Sequence, residues 1–210
     1  MKQMHIWLAL ALSASTALAA EGAGYSNDLS KAEVGKMPEE FLVLDGNFAV
    51  AEEGGNKFVE LPGAPLETFG FLFGPTEKEN IAASARVFTT GKGRRFNTFT
   101  VACNGVAGFK LTVAPGKKAV ELYKGETLLG TAPIEWKTAK WTQLRVEVKK
   151  TADAEWTVRG FVWQEGDTEP KEPTISSVQK EAPSAGRSAV FGMPFAGTPI
   201  RFDDLKVTKL

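Results

Sequence analysis

Apolar and polar residues alternate along most of the chain, and the clearest example lies at residues 140–149. From Trp141 onward this segment places Leu144, Val146 and Val148 on one side and polar side chains on the other. A period of two is typical of a strand that has one face in a core and the other in water. The segment therefore predicts a half-buried β-strand.

The same period recurs through the rest of the chain and predicts about twelve strands at short spacing. Asn104-Gly105 and Gly125-Glu126 separate pairs of these strands, and both dipeptides are typical of hairpin turns. No window shows a helical period. We therefore predict an all-β fold, a two-sheet antiparallel sandwich. The clearest strand segments are 57–61, 69–73, 81–89, 95–103, 109–113, 119–123, 127–131, 140–149, 155–164, 188–193 and 200–210.

Two segments break the alternation. Residues 165–186 are rich in Pro, Glu, Ser and Lys and show no periodic apolar face. Such a composition predicts a long irregular loop, either a mobile excursion or a functional lid. In the last predicted strand, Phe202 and Val207 have opposite parity, so both can face the core only across a β-bulge, which we place at Asp203-Asp204.

The N-terminus has the pattern of a secretory signal peptide. Lys2 gives a positive start, residues 6–12 form a short apolar run, and residues 17–19 form a small-x-small cleavage site. The run is shorter than the roughly 20 residues that a membrane-spanning helix needs, and no later stretch qualifies. We therefore expect export, and a mature chain that is periplasmic or extracellular.

The remaining length suits one domain. A chain of 210 residues fits a single all-β sandwich better than two domains. We expect residues 1–20 to be the signal peptide, residues 21–40 a polar lead-in segment, and residues 41–210 the sandwich domain.

Composition excludes several kinds of chemistry. The 25 basic and 25 acidic side chains balance, so nothing predicts a nucleic-acid partner. Cleavage of the signal peptide would remove His5, the only histidine, and with it any Ser-His-Asp triad or imidazole metal site. The single cysteine, Cys103, excludes an intrachain disulfide and is expected to pack as a small apolar residue. Catalysis would have to use carboxylates, lysines or a tyrosine.

Two sequence phrases, KWTQLRVEV and the terminal IRFDDLKVTKL, resemble the concanavalin A-like jelly rolls. That group includes laminin G-like domains, legume-type lectins, several glucanases and the bacterial 3-keto-disaccharide hydrolase domain. The resemblance covers most of residues 41–210 and implies a jelly-roll sandwich. Glucanases of this fold carry an E-x-D-x-x-E strand for retaining hydrolysis. Because that spacing does not occur here, their activity is not implied.

Five residues on predicted strands are candidates for sugar binding. The resemblance implies that one sheet is concave, and such sheets bind sugars by aromatic stacking and planar hydrogen-bonding groups. The alternative is that the aromatic residue packs in the core or at an edge and the charges form a solvated face. The candidates are Arg86, Asn97, Lys110, Arg159 and Trp163.

Asp203 and Asp204 allow two interpretations. Some relatives in this group hold a structural Ca²⁺ near the end of the chain, and carboxylate oxygens are its preferred ligands. Alternatively, one carboxylate accepts hydrogen bonds from backbone N–H groups at the bulge. We expect the second arrangement, and hence no cofactor.

Three functions are compatible with these features. The first, which we expect, is a non-catalytic module that binds a glycan or a component of the cell envelope or surface. The second is a carboxylate-dependent enzyme on sugars, resembling the 3-keto-disaccharide hydrolases. The third is a structural, envelope-associated protein that binds a partner. Fold class alone cannot choose among them.

Overall fold

The computed structural model describes residues 24–210, and within them the chain is almost entirely β-strand. Fifteen strands form two antiparallel sheets, and the only helical element of the described chain is a single 3₁₀ turn at Pro115–Lys117. The all-β sandwich prediction is confirmed. The predicted signal peptide lies outside the described residues. None of the described residues forms a helix that could span a membrane.

The fifteen strands follow one another at short spacing. In chain order they are β1 (Tyr25–Asn27), β2 (Leu42–Asp45), β3 (Ala49–Glu53), β4 (Asn56–Leu61), β5 (Phe69–Glu77), β6 (Ile81–Thr89), β7 (Thr98–Cys103), β8 (Phe109–Ala114), β9 (Ala119–Lys124), β10 (Thr127–Pro133), β11 (Thr142–Ala152), β12 (Glu155–Gln164), β13 (Ile175–Gln179), β14 (Gly186–Met193) and β15 (Ile200–Lys209).

Each sheet mixes strands that are near and far apart in sequence. The eight-stranded sheet has the order β13-β12-β11-β6-β15-β4-β3, and β1 also pairs with β15. The seven-stranded sheet has the order β10-β9-β8-β7-β14-β5-β2. The hairpins predicted over Asn104-Gly105 and Gly125-Glu126 are confirmed as β7–β8 and β9–β10. The last two long strands, β14 and β15, insert between earlier strands and so close each sheet at its centre.

The core lies between the two sheets and is lined by alternate residues of their strands. Strand β11 follows the predicted pattern, because Leu144, Val146 and Val148 are fully buried while Gln143 and Arg145 on the opposite face are half-buried. Burying a side chain of this size stabilises the fold by about 1.5–3 kcal/mol. The largest fully buried side chains include Phe71, Phe73, Phe99, Phe109 and Phe202.

The bulge predicted in the last strand is confirmed. The register of β15 against β6 shifts between Asp203 and Lys206, and Asp204 has a φ of 51°. The shift lets Phe202 and Val207 both face the core despite their opposite parity.

Two predicted irregular segments contain strands. The prediction of a wholly irregular loop at residues 165–186 is wrong for β13, which pairs with β12 and buries Ile175. Strand β13 lies at the edge of its sheet, so its other residues stay exposed or half-buried and give no apolar period. The predicted lead-in at residues 21–40 likewise contributes β1, whose polar residues pair with β15 through the backbone, and it buries Leu29.

Candidate functional site

The candidate sugar-binding residues do not lie together. Lys110 lies on the outer face of the seven-stranded sheet, whereas Arg86, Arg159 and Trp163 lie on the outer face of the eight-stranded sheet. Asn97 lies in the interior. The four partly exposed candidates are therefore divided between two separate outer surfaces.

Asn97 is a structural residue, which corrects its selection as a candidate. Its side chain is 0% exposed, and its Nδ2 donates to the Thr89 hydroxyl at 2.7 Å and to the Thr198 carbonyl at 2.8 Å. Its Oδ1 accepts from the Ala196 N–H at 2.8 Å. Asn97 has the parity of the core residue Phe99, so it points inward, where it ties the β14–β15 loop to β6.

A groove of about 410 Å³ crosses the outer face of the seven-stranded sheet. Its floor comes mainly from strands β7, β8 and β9, which lie side by side and present polar residues at alternate positions. In one cross-strand row Thr100 is opposite Thr112, which is opposite Glu121. In the next row Lys110 is opposite Tyr123. The floor residues are Thr98, Thr100, Lys110, Thr112, Glu121 and Tyr123.

Loop residues and aromatic side chains also line this groove. Val106 and Glu126 stand at one end, on neighbouring turns that are joined by a backbone hydrogen bond from Gly125 to Gly108 of 2.9 Å. Lys117, in the turn between β8 and β9, and Phe195, in the loop after β14, also line the groove. Phe195 is 46% exposed. We name this feature the β7–β9 groove.

Glu121 is nearly buried in the β7–β9 groove and is fully engaged by its neighbours. Lys117 donates to one carboxylate oxygen at 2.9 Å, and the Tyr123 hydroxyl donates to the other at 2.8 Å. Burial, and then the hydrogen bond to Glu121, raise the pKa of Tyr123 to about 12. Tyr123 is therefore a neutral hydrogen-bond donor in neutral solution.

Lys110 is the cation that is best placed to meet a ligand in this groove. Its ammonium donates to Glu126 at 3.0 Å and lies 5.5 Å from the centroid of the Phe191 ring. The Glu126 side chain is 97% exposed, and ion pairs with such exposed partners contribute only about 0–1 kcal/mol. A ligand oxygen can therefore replace Glu126 at little cost.

The outer face of the eight-stranded sheet carries arginines stacked on aromatic rings. The Arg86 guanidinium lies 4.5 Å from the centroid of Trp141, and Arg145 lies 4.3 Å from that of Phe161. Arg159 forms an ion pair of 2.6 Å with Glu147, which is a structural role for this candidate.

Trp163 lies in a small pocket on this face, which we name the Trp163 pocket. The pocket has a volume of about 130 Å³. The residues that line it are Arg86, Trp141, Gln143, Trp163, Gln164, Glu165 and Asp167.

The Asp203 carboxylate is buried and already holds several partners. Arg86 donates to it through Nη2 at 2.5 Å and through Nε at 3.1 Å, and Asn56 donates at 3.0 Å. The backbone N–H of Asp204 donates to the second oxygen at 2.7 Å, which is the capping bond expected at the bulge. Residues 24–210 hold no group of three or more His, Cys, Asp or Glu side chains suited to a metal ion.

We expect the melting temperature to be the same in millimolar calcium and in a chelator. Asp203→Asn should cost about 1–2 kcal/mol of stability in both conditions, because it weakens charge-assisted hydrogen bonds while Arg86 keeps the Asp204 carboxylate at 3.1 Å. Thermal melts of the wild type and the variant test this directly. A rise of about 5–10 °C in calcium that the chelator reverses, and that Asp203→Asn abolishes, would instead support a bound ion.

Sequence reasoning found one of the six floor residues of the β7–β9 groove. A signal for the others was present, because three consecutive predicted strands each carry two polar residues at alternate positions. No local sequence pattern indicated that Phe191 and Phe195 would line the groove. They do so because β14 pairs with β7, from which it is separated by about ninety residues of chain.

Comparison with known proteins identifies the fold. No family model matches the sequence, and no curated protein matches it. Among solved structures, a Bacillus subtilis protein of unknown function with a galectin-like fold gives a TM-score of 0.61 at 12% identity, covering 90% of this chain and 97% of that one. The carbohydrate binding module CBM66 from Bacillus subtilis gives 0.56 at 11% identity, covering 81% and 96%. The alginate lyase of Aplysia kurodai gives 0.52 at 10% identity, covering 78% and 87%.

The fold is the concanavalin A-like jelly roll. The resemblance in the sequence is thereby confirmed at the level of fold. Identities of 10–12% carry the fold and no residue roles, so the function depends on the chemistry of this chain's own surfaces.

Proposed function

We propose that the protein is an exported, non-catalytic module that binds a glycan in the β7–β9 groove. The observation that carries the proposal is the composition of that groove, in which hydroxyl, ammonium and carboxylate groups line the floor beside aromatic rings. Sugars offer hydroxyls to such polar groups and C–H faces to aromatic rings. The similarity of fold to a carbohydrate binding module supports the same conclusion.

The state of Glu121 supports binding rather than hydrolysis. Both of its oxygens already accept hydrogen bonds, from Lys117 and Tyr123. A carboxylate that acts as acid or nucleophile in glycoside hydrolysis must reach the glycosidic bond together with a second carboxylate. The other groove carboxylate, Glu126, lies on an exposed turn and pairs with Lys110.

An enzyme acting on glycans is the second candidate. Two carboxylates, Glu121 and Glu126, line the same groove, and the fold is shared with an alginate lyase. Incubating the protein with each glycan that it binds, followed by mass spectrometry, separates the two functions. An unchanged glycan supports the binding module, and a product that Glu121→Gln abolishes supports the enzyme.

Export is part of the proposal and rests on the signal-peptide pattern of residues 1–20. We expect the protein recovered from a periplasmic or extracellular fraction to begin at residue 20 or 21. Mass spectrometry of the intact protein measures where it begins. A full-length protein in the cytoplasm would contradict export without affecting the glycan site.

A glycan-array screen of residues 21–210 tests the binding function. We expect a restricted set of related glycans to bind, and Lys110→Met to weaken that binding by at least tenfold, equivalent to about 1.4 kcal/mol. Methionine retains much of the apolar stem beside Phe191 while it removes the ammonium. Binding to no glycan would refute the proposal, and binding that is indifferent to Lys110→Met would place the site elsewhere.

A further inference from the structure

The Trp163 pocket lies on the opposite outer face from the β7–β9 groove and has its own polar and aromatic lining. Trp163, Gln143 and Arg86 occupy one cross-strand row, because Gln143 lies directly opposite both of the others. All three side chains are partly exposed. The β-sheet register therefore holds an indole, an amide and a guanidinium side by side.

Trp163 differs from the other aromatic residue of the pocket. Trp141 packs against Phe88 and Phe58 at centroid distances of 5.5 and 6.3 Å, and Arg86 lies over its ring. The Trp163 ring stands outside this packed cluster. Of the two indoles, that of Trp163 is the one left to stack on a ligand.

The rear of the pocket is rigid. Gln164 donates to the Lys137 carbonyl at 2.8 Å and to the Thr142 hydroxyl at 3.2 Å, and it accepts from the Lys137 N–H at 2.7 Å. Backbone bonds of 2.8 Å from Glu165 to Trp141 and of 2.9 Å from Asp167 to Gln164 fix the turn that follows β12. The side-chain amide of Gln143, in contrast, forms no hydrogen bond with the described residues. The fixed rear wall reduces the entropy cost of binding, and the Gln143 amide keeps its hydrogen-bonding groups available to a ligand.

Charge narrows the class of ligand. The carboxylates of Glu165 and Asp167 line the pocket, and its one lining cation, Arg86, is already paired with Asp203. Lys140 lies at the same turn, where it donates to the Glu165 carbonyl at 3.3 Å. An anionic group would meet two carboxylates and a guanidinium that is already neutralised, whereas hydroxyls can bond to all of these groups.

We propose that the Trp163 pocket is a second ligand site, which binds one uncharged sugar residue by stacking on Trp163 and hydrogen bonding to Gln143. The site extends the proposed glycan-binding function but uses none of the residues of the β7–β9 groove. Since the sheets of a sandwich pack about 10 Å apart, sites on their two outer faces cannot share one short sugar. The two sites therefore hold separate sugar residues, and occupation of both strengthens the attachment of the protein to a glycan-rich surface through bivalency.

The Trp163 indole N–H signal in an ¹H–¹⁵N NMR spectrum is a direct test. The probes are glucose, galactose, mannose, xylose and N-acetylglucosamine, each at up to about 100 mM, with glucuronate as the charged counterpart of glucose. Trp163→Phe assigns the signal. We expect at least one neutral sugar to shift it saturably, and glucuronate to bind at least tenfold more weakly than glucose if glucose is bound.

Matched variants make the test specific. Gln143→Ala should weaken the sugar by at least tenfold at the Trp163 signal, whereas Ser176→Ala, on an exposed position of β13, should leave the affinity unchanged. Phe195→Ala, in the β7–β9 groove, should leave it unchanged as well. The proposal is overturned if none of the five neutral sugars shifts the signal saturably, or if Gln143→Ala has no effect.

The experiments distinguish an error in the Trp163 pocket proposal from an error in the proposed function. If array glycans bind through Lys110 and Phe195 but the Trp163 signal does not move, the second site is absent and the proposed function stands. If the Trp163 signal responds and binding is indifferent to Lys110→Met, the Trp163 pocket stands and the groove assignment fails. If neither responds, both are refuted.

Discussion

Leu144→Asp or Val146→Asp is expected to leave the protein unfolded at room temperature. Both side chains are fully buried at the centre of the eight-stranded sheet, where β11 pairs with β6 and β12. A carboxylate buried there without a partner costs several kcal/mol, which is comparable with a domain's total stability of about 5–15 kcal/mol. Far-UV circular dichroism and thermal melts of the purified variants measure the effect.

Gln143→Lys is the control, because Gln143 lies on the same strand but its side chain points to the outer face of the sheet. This change should alter the stability by no more than about 0.5 kcal/mol. If the aspartate variants melted at the wild-type temperature, or if the lysine variant unfolded as they do, the facing of β11 would be wrong.

Arg86→Met is expected to cost about 3 kcal/mol of stability. Removing one partner of a buried ion pair costs about 3–5 kcal/mol, and the lower value applies because Arg86 is 25% exposed while Asp203 is 1% exposed. Asp203 would keep its bonds to Asn56 and to the Asp204 N–H but lose its cation. Urea denaturation of the wild type and the variant gives the difference.

Arg159→Met is the matched control for this prediction. Its partner Glu147 is also buried, but Arg145 lies 3.2 Å from the same carboxylate, so a cation remains after the change. The control should lose less, about 1–2 kcal/mol, because the two contacts of Arg159 with Glu147 come from a partly exposed guanidinium. A loss of no more than about 1 kcal/mol in Arg86→Met would show that Asp203 does not depend on Arg86. Equal large losses in the two variants would show instead that Arg145 does not replace Arg159 beside Glu147.

Local sequence patterns were sufficient to predict the long strands. The predicted segments 81–89 and 155–164 coincide with β6 and β12, because an uninterrupted alternation is bounded there by turn residues. Strands β1 and β13 were missed since they are short and are held by backbone pairing to distant partners, which leaves little trace in their side chains.

The candidate sites were predictable only in part, for a similar reason. The alternation indicated that the side chains of Arg86, Lys110 and Trp163 point away from the core. It does not indicate which sheet each strand joins, and hence on which outer face each side chain lies. That depends on pairings such as β14 with β7 and β15 with β6, which join distant parts of the chain. Asn97 shows the opposite error, because its polar side chain suggested a ligand contact while its parity already placed it in the core.

The central claim is that the β7–β9 groove binds a glycan, and its most direct test is the affinity of Phe195→Ala for the strongest glycan found on the array. Phe195 is an exposed ring beside the groove, on a turn closed by a backbone bond of 2.8 Å to Met193. Isothermal titration calorimetry should show a loss of about 1–3 kcal/mol, since the variant loses both the stacking contact, about 0.5–1.5 kcal/mol, and the apolar area that the ring buries against the sugar. Leu210→Ala, which truncates a side chain of similar exposure far from the groove, should bind as the wild type does. Equal affinities for the wild type, Phe195→Ala and Leu210→Ala would contradict the claim.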